Sequence, residues 1–222
     1  SIGCSKNIKY YCNLNEQATT ICADAYSQYT NDLSVCMLTT GPGATNGITG
    51  VVSAYIDSQP MLVISGQVKT SDIVGDRKVR QIGAQEANIV EMVKSVTKYS
   101  ATIMKKEDTK YHLDKAIYLA THGRRGPVWI DVPLDIQGAQ VDENELVDFD
   151  PVKENLVTEY TICQNQINDV YNFLCSAKRP IFLIGNGVVA ANATEKMRIL
   201  AKKLNIPVLE KKKKKMVFAD ND

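Results

Sequence analysis

The sequence predicts an α/β fold with a doubly wound, mainly parallel sheet, followed by the opening of a second, Rossmann-like α/β domain. Three observations carry this reading. Short β-rich runs alternate with longer stretches of helical periodicity along most of the 222 residues. Those helical stretches are long enough to cross back over a sheet, as parallel strands require. An acidic segment without periodicity then interrupts the alternation, which starts again beyond it.

The first strand is placed at residues 8–12. Residues 16–29 then set Ala18, Ile21, Cys22, Ala25 and Tyr29 on one helical stripe, expected to face the core. A strand at 34–40 leads into Gly41-Pro42-Gly43-Ala44-Thr45-Asn46-Gly47. A helix over 45–57 follows, with Ile48, Val51, Val52 and Tyr55 as its apolar positions. Strands are placed at 61–65, 100–103 and 128–132. Between the last two, a helix over 108–121 carries Leu113, Ala116, Ile117 and Ala120 and closes at Gly123.

Pro133 ends the first alternation, so residues 1–136 form the first domain and 137–158 a linker that includes Asp150-Pro151. Residues 159–222 begin the second domain, about a third of a typical one. Its expected elements are a helix at 161–177, a strand at 181–184 running into Gly185-Asn186-Gly187, a helix at 194–204 and a strand at 206–209. Five consecutive lysines, Lys211 to Lys215, follow. They read either as a solvated basic tail or as the mark of a truncated gene end.

Composition excludes several function classes. A hydrophobic share of 44%, a charged share of 23% and a net charge of +1 describe an ordinary globular chain. That balance gives no electrostatic case for nucleic acid or a membrane surface. No apolar run approaches the roughly 20 residues needed to span a bilayer. Six cysteines without a C-x-x-C pair and only two histidines, His112 and His122, offer no metal-ligating set. Cys12, Cys22 and Cys36 lie in apolar stretches and are expected to be buried, reduced thiols. With no signal peptide at the N-terminus, a cytoplasmic location is expected.

The glycine-rich segment ends a strand and opens a helix, where backbone can approach an anionic ligand closely. It matches neither the dinucleotide G-x-G-x-x-G nor a P-loop, which weakens a nicotinamide-dependent reading. On local physics a tight turn and a ligand loop remain equal alternatives. Taken alone, Glu16 is an acidic residue at a helix start. Gln85 is a polar loop residue.

The wider pattern is more specific. Gly41 to Asn46, then Gly50, Ala54-Tyr55, Asp57-Ser58, Pro60 and Val63 to Gln67, resembles the acetolactate synthase family of thiamine-diphosphate-dependent enzymes. The resemblance continues through Gln85-Glu86, Val90, Ser95 to Lys98 and the Gly126 to Pro133 block, covering residues 8 to about 135. It implies that the first domain binds the cofactor's pyrimidine. Glu16 is then the carboxylate that hydrogen-bonds the aminopyrimidine and promotes proton removal from the thiazolium carbon. That role implies a buried Glu16 with a raised pKa. Gln85 would face the substrate, and Gly41, Pro42, Gly43 and Asn46 would form the loop near the aminopyrimidine.

The resemblance further implies decarboxylation of a 2-oxoacid such as pyruvate and carboligation to a second carbonyl compound, by a homodimer or homotetramer. It implies thiamine diphosphate with Mg2+ held by a domain absent from this sequence, and FAD in some members, near Pro180 to Gly187. The fragment alone is expected to be inactive. Two departures bear on substrate: Asn15 stands where a histidine commonly precedes the glutamate, and Ala84 where a phenylalanine precedes the glutamine. They look more like acetolactate-synthase-like enzymes of polysaccharide pathways. A different 2-oxoacid decarboxylase or lyase, and a non-catalytic binding module, are the alternatives.

Overall fold

A computed structural model describes residues 2–157 and 161–210. The chain divides into two units, Ser1–Pro151 and Val152–Asp222. In the first, α1 (Glu16–Thr30) leads to β1 (Ser34–Leu38), α2 (Pro42–Asn46), α3 (Ile48–Ile56) and β2 (Met61–Gln67). Then come α4 (Ile89–Val93), β3 (Tyr99–Thr102), α5 (Thr109–Thr121), β4 (Pro127–Pro133) and the short α6 (Leu134–Gln137). The strands pair in the order β1-β2-β4-β3, all parallel.

Strand periodicity explains the two cores. Met61 and Val63 of β2 point to one face, where they meet Cys36, Trp129, Ala23 of α1, Val51 of α3 and Val93 of α4. Leu62 points to the other, against Val128, Ile130 and Ala116 and Ala120 of α5. Helices therefore cover both faces, as a doubly wound sheet requires, and the central strands are buried on both sides.

Several expectations are corrected. Residues 8–12 form no strand; Ile8, Tyr10 and Tyr11 are exposed. Their β-propensity is realised only where a neighbouring ladder and a surface to cover exist, and here neither is engaged. The helix expected over 45–57 is two, broken at Gly47. Of the three cysteines assigned to the core only Cys36 is buried, its thiol pushed up to about 12 by that burial; Cys12 and Cys22 are exposed.

The buried face of α1 is also the opposite of the expected one. Ile21 and Tyr29 are exposed, while Thr20, Ala23, Asp24 and Ser27 are buried. Small residues win this position because α3 comes very close. A Cβ on Gly50 would lie 2.6 Å from the Thr20 carbonyl carbon. Hydrogen bonds compensate part of this buried polarity: Ser27 Oγ donates to the Pro60 carbonyl at 2.6 Å and Ser53 Oγ to Asp24 Oδ2 at 2.8 Å, while Asp24 Oδ1 is buried without a partner.

The segment after α6 has one 3-10 turn, Glu143–Glu145, yet it is held onto α5. Val147 N–H donates to Glu107 O at 3.0 Å, Lys110 pairs with Asp148 at 2.7 Å, and Phe149 meets the Tyr111 ring edge-on.

In the second unit, α7 (Gln164–Ser176), β5 (Phe182–Ile184), α8 (Asn186–Ala190), α9 (Thr194–Leu204) and β6 (Val208–Glu210) follow in order. Strands β5 and β6 pair in parallel. Among its described residues only Ile184 and Ala201 are buried apolar side chains. Lys211 to Lys215 lie outside the described residues. No helix among the described residues is long and apolar enough to cross a membrane.

Candidate functional site

The site begins at the N-terminus of α1. Asn15 is extended, and its Oδ1 accepts from Ala18 N–H at 2.8 Å, satisfying one of the helix's orphan donors. The capped turn places Glu16 as the first helical residue. From there its Oε2 accepts a 3.0 Å hydrogen bond from Asn46 Nδ2, at the end of α2. That bond, followed by Glu16's own backbone N–H, holds the carboxyl below the ordinary glutamate range. This corrects the expectation of a buried, raised Glu16. The side chain is half-exposed at the cleft, and donation to the charged form outweighs what little desolvation there is.

The glycine-rich segment forms the cleft floor. Gly41 has φ +60° and ψ −124°, a backbone that L side chains rarely adopt. A Cβ there would fall 2.1 Å from the Gln85 carbonyl oxygen, so glycine is required by both conformation and space. Pro42 opens α2 at a position where its missing N–H has no role. A Cβ on Gly43 would collide with Thr39 Cγ2 at 2.3 Å and come within 3.1 Å of Glu16 Oε1.

Gln85 arrives from the loop between β2 and α4, itself at φ +61°. Its neighbour Glu86 ties that loop together by accepting from the N–H groups of Val74 (2.5 Å), Ile82 (2.9 Å) and Gly83 (3.4 Å). Burial works to raise the Glu86 pKa, but the Ile82, Val74 and Gly83 amides outweigh it and hold the carboxyl low. Sequence reading gave Glu86 no role.

The result is an open cleft of about 510 Å³, lined by Glu16, Thr39, Thr40, Pro42, Gly43, Thr45, Asn46 and Gln85. Five of the six residues singled out from sequence line it, and Gly41 lies buried beneath. Chemically, the cleft offers one ionised carboxylate with an oxygen committed to Asn46 and a second beside Gly43. Thr39 and Thr40 were not foreseen as lining; they are the last two residues before the glycines, where a parallel strand ends at a ligand crevice.

Sequence reading also missed a buried polar group behind the cleft. Ser65 and Asp131 face each other across β2 and β4, and Gln67 and Trp129 join them. The signal was available: polar residues at alternate positions in otherwise apolar central strands. No group of three or more His, Cys, Asp or Glu side chains suited to a metal ion forms among the described residues.

Two sequence patterns of known families match this chain. The thiamine pyrophosphate enzyme N-terminal TPP binding domain matches residues 2–92, and the thiamine pyrophosphate enzyme central domain matches residues 167–222. The acetolactate synthase large subunit of Buchnera aphidicola subsp. Schizaphis graminum is 38% identical over 198 residues, 87% of this chain and 33% of that protein. Acetolactate synthase isozyme 3 large subunit of Escherichia coli is 35% identical over 198 residues, 88% of this chain and 33% of that one. The probable acetolactate synthase large subunit of Methanocaldococcus jannaschii is 34% identical over 199 residues, 87% and 32% respectively. The chain thus spans about a third of the length of these curated relatives.

Proposed function

We propose, for a chain that belongs to the thiamine pyrophosphate enzyme family, that its cleft is the aminopyrimidine half of a thiamine-diphosphate site. The single observation behind this is the placement of Glu16, ionised, held by Asn46 and open to a cleft floored by Gly41 and Gly43. Bound there, thiamine diphosphate supplies the carbanion chemistry that amino-acid side chains lack. Glu16 Oε1 would accept a hydrogen bond from a protonated ring nitrogen, and Asn46, through its bond to Oε2, fixes the direction in which that acceptor points. Gly43 leaves the room beside the carboxylate that a flat ring needs. Gln85, which also lines the cleft, would present its amide to the substrate.

The reaction we assign to the complete polypeptide is decarboxylation of a 2-oxoacid, pyruvate first, and carboligation to a second carbonyl compound, as the names of the relatives support. We assign Mg2+ and the diphosphate to sequence outside this chain; among the described residues no group of three or more His, Cys, Asp or Glu side chains suited to a metal ion forms. FAD, bound near Pro180 to Gly187 as in some members of the family, stays part of the same proposal, and the space around Gly185 and Gly187 is open. A homodimer or homotetramer and a cytoplasmic location belong to the same proposal. Exposed Ile21, Tyr26 and Tyr29 on α1 support the first, and six cysteines that form no disulfide among the described residues support the second. This chain alone should turn nothing over.

The test is pyruvate consumption, with thiamine diphosphate and Mg2+, by a polypeptide carrying this chain at the relatives' full length. Glu16→Gln should lower kcat by about 100-fold or more, the scale of a lost general acid–base group. Full activity in that variant would remove Glu16 from the mechanism.

A further inference from the structure

Behind the cleft runs a polar chain that an apolar core does not need. Asp131 on β4 and Ser65 on β2 are each 1% exposed and paired across the ladder. Trp129 Nε1 donates to Ser65 Oγ at 2.8 Å, Ser65 Oγ donates to Asp131 Oδ1 at 2.5 Å, and Gln67 Nε2 donates to Asp131 Oδ2 at 2.8 Å. A buried carboxyl is a poor way to gain stability, because desolvation offsets what its hydrogen bonds return. Its retention calls for another account.

Gln67 provides one. Its Nε2 faces two groups that accept, Asp131 Oδ2 and, at 2.9 Å, the Ala87 carbonyl oxygen. Its Oε1 accepts from Val68 N–H at 2.9 Å and lies 3.5 Å from Thr40 Oγ1. Turned over, the amide would set oxygen against the Ala87 oxygen and NH2 against the Val68 N–H, so one orientation alone is satisfied. Ala87 is two residues past Gln85, and Thr40 lines the cleft beside Gly41. Both walls are thereby tied to one buried carboxyl.

We infer that Asp131, acting through the fixed amide of Gln67, is a positioning residue that sets the cleft wall carrying Gln85. The inference rests on the thiamine reading for what that wall meets, but not for how the wall is held. In Asp131→Asn the one remaining side-chain oxygen stays with the Ser65 O–H, which otherwise loses this acceptor; the NH2 then meets the Gln67 NH2, and that amide turns over and releases Ala87. The reciprocal pair, Asp131→Asn with Gln67→Glu, rebuilds the bond between the two side chains but leaves nothing to donate to Ala87.

Amide hydrogen exchange on the full 222-residue chain separates these cases. Gly83, Glu86 and Ile89 report the loop through their bonds to Asp72, Gly83 and Ala87 carbonyls; Val63 and Ile130 report the sheet. In Asp131→Asn the loop amides should exchange about tenfold faster or more, the scale of one lost hydrogen bond to a fixed group. In the reciprocal pair the sheet amides should return to within about twofold of the wild-type rate while the loop amides stay fast. Loop amides that are unchanged in Asp131→Asn, or that recover in the pair, would overturn the inference. Should Asp131→Asn not fold, Gln67→Met keeps the volume and the Ser65–Asp131 bond, and the loop amides decide in the same way. None of these readings needs cofactor, so the inference can fail while the thiamine reading, decided by Glu16→Gln, stands.

Discussion

At the scale of single residues, the proposed chemistry rests on a carboxylate whose ionisation is favoured first by one amide. Asn46 donates to Glu16 across the cleft and holds its pKa low. Replacing the amide by an apolar side chain, Asn46→Leu, removes the first cause of that shift. The Glu16 titration, followed by carboxyl-carbon NMR in this chain, should then move up toward the ordinary glutamate range; an unmoved midpoint would show that Asn46 does not set it. The sign follows from linkage. A depressed folded pKa contributes stability above the unfolded value, and that contribution is lost as pH falls through the folded one. Position was legible from sequence: Glu16 sits between an N-cap and a helical stripe, and the glycine run is written out in order. Environment was not, because exposure of Glu16 depends on how α2 is set against α1, a tertiary distance that no local pattern encodes.

Elements show the same division. The central strands β2 and β4 were legible because their runs are apolar on both faces. Helix α1 was found at its true start, yet its buried side was assigned backwards. Hydrophobicity favoured Ile21, Cys22 and Tyr29, whereas close approach to α3 selects Thr20, Ala23 and Ser27. Gly50→Ala tests that explanation. Its methyl would meet α1 backbone at 2.6 to 2.7 Å, which cannot give way as a side-chain end can. The urea midpoint should fall by the equivalent of about 1–3 kcal/mol, the usual cost of overpacking; a neutral change would mean α1 and α3 are not so close.

The sheet interior carries a pH signature of its own. Burial pushes the Asp131 carboxyl up to about 6, against donors on Ser65, Gln67 and Thr102 that pull it down. Between about pH 4 and pH 6 the folded chain then holds a proton that the unfolded chain has lost, so stability falls as pH rises through that window. A shift of about two pKa units corresponds to about 3 kcal/mol. Asp131→Asn should therefore gain on the wild type across the same window in urea titrations at successive pH values. A constant difference between the two from pH 4 to pH 6 would contradict a raised Asp131.

On the scale of the whole molecule, the two units are unequal. The first has two cores, one on each face of its sheet, and contains the entire cleft. The second buries only Ile184 and Ala201 among its described apolar side chains. Its alternation of helix and strand was legible, but nothing in the sequence told how little of it would be covered. Since the chain spans about a third of its relatives' length, the proposed reaction belongs to a larger polypeptide in which this cleft supplies one carboxylate and its positioning. The central claim is that this carboxylate promotes loss of the thiazolium carbon proton. Deuterium exchange at that carbon, measured on thiamine diphosphate bound to the full-length polypeptide, addresses it without any substrate. The account predicts exchange about 100-fold slower or more in Glu16→Gln than in the wild type, with cofactor still bound. Equal exchange rates in the two proteins would contradict it.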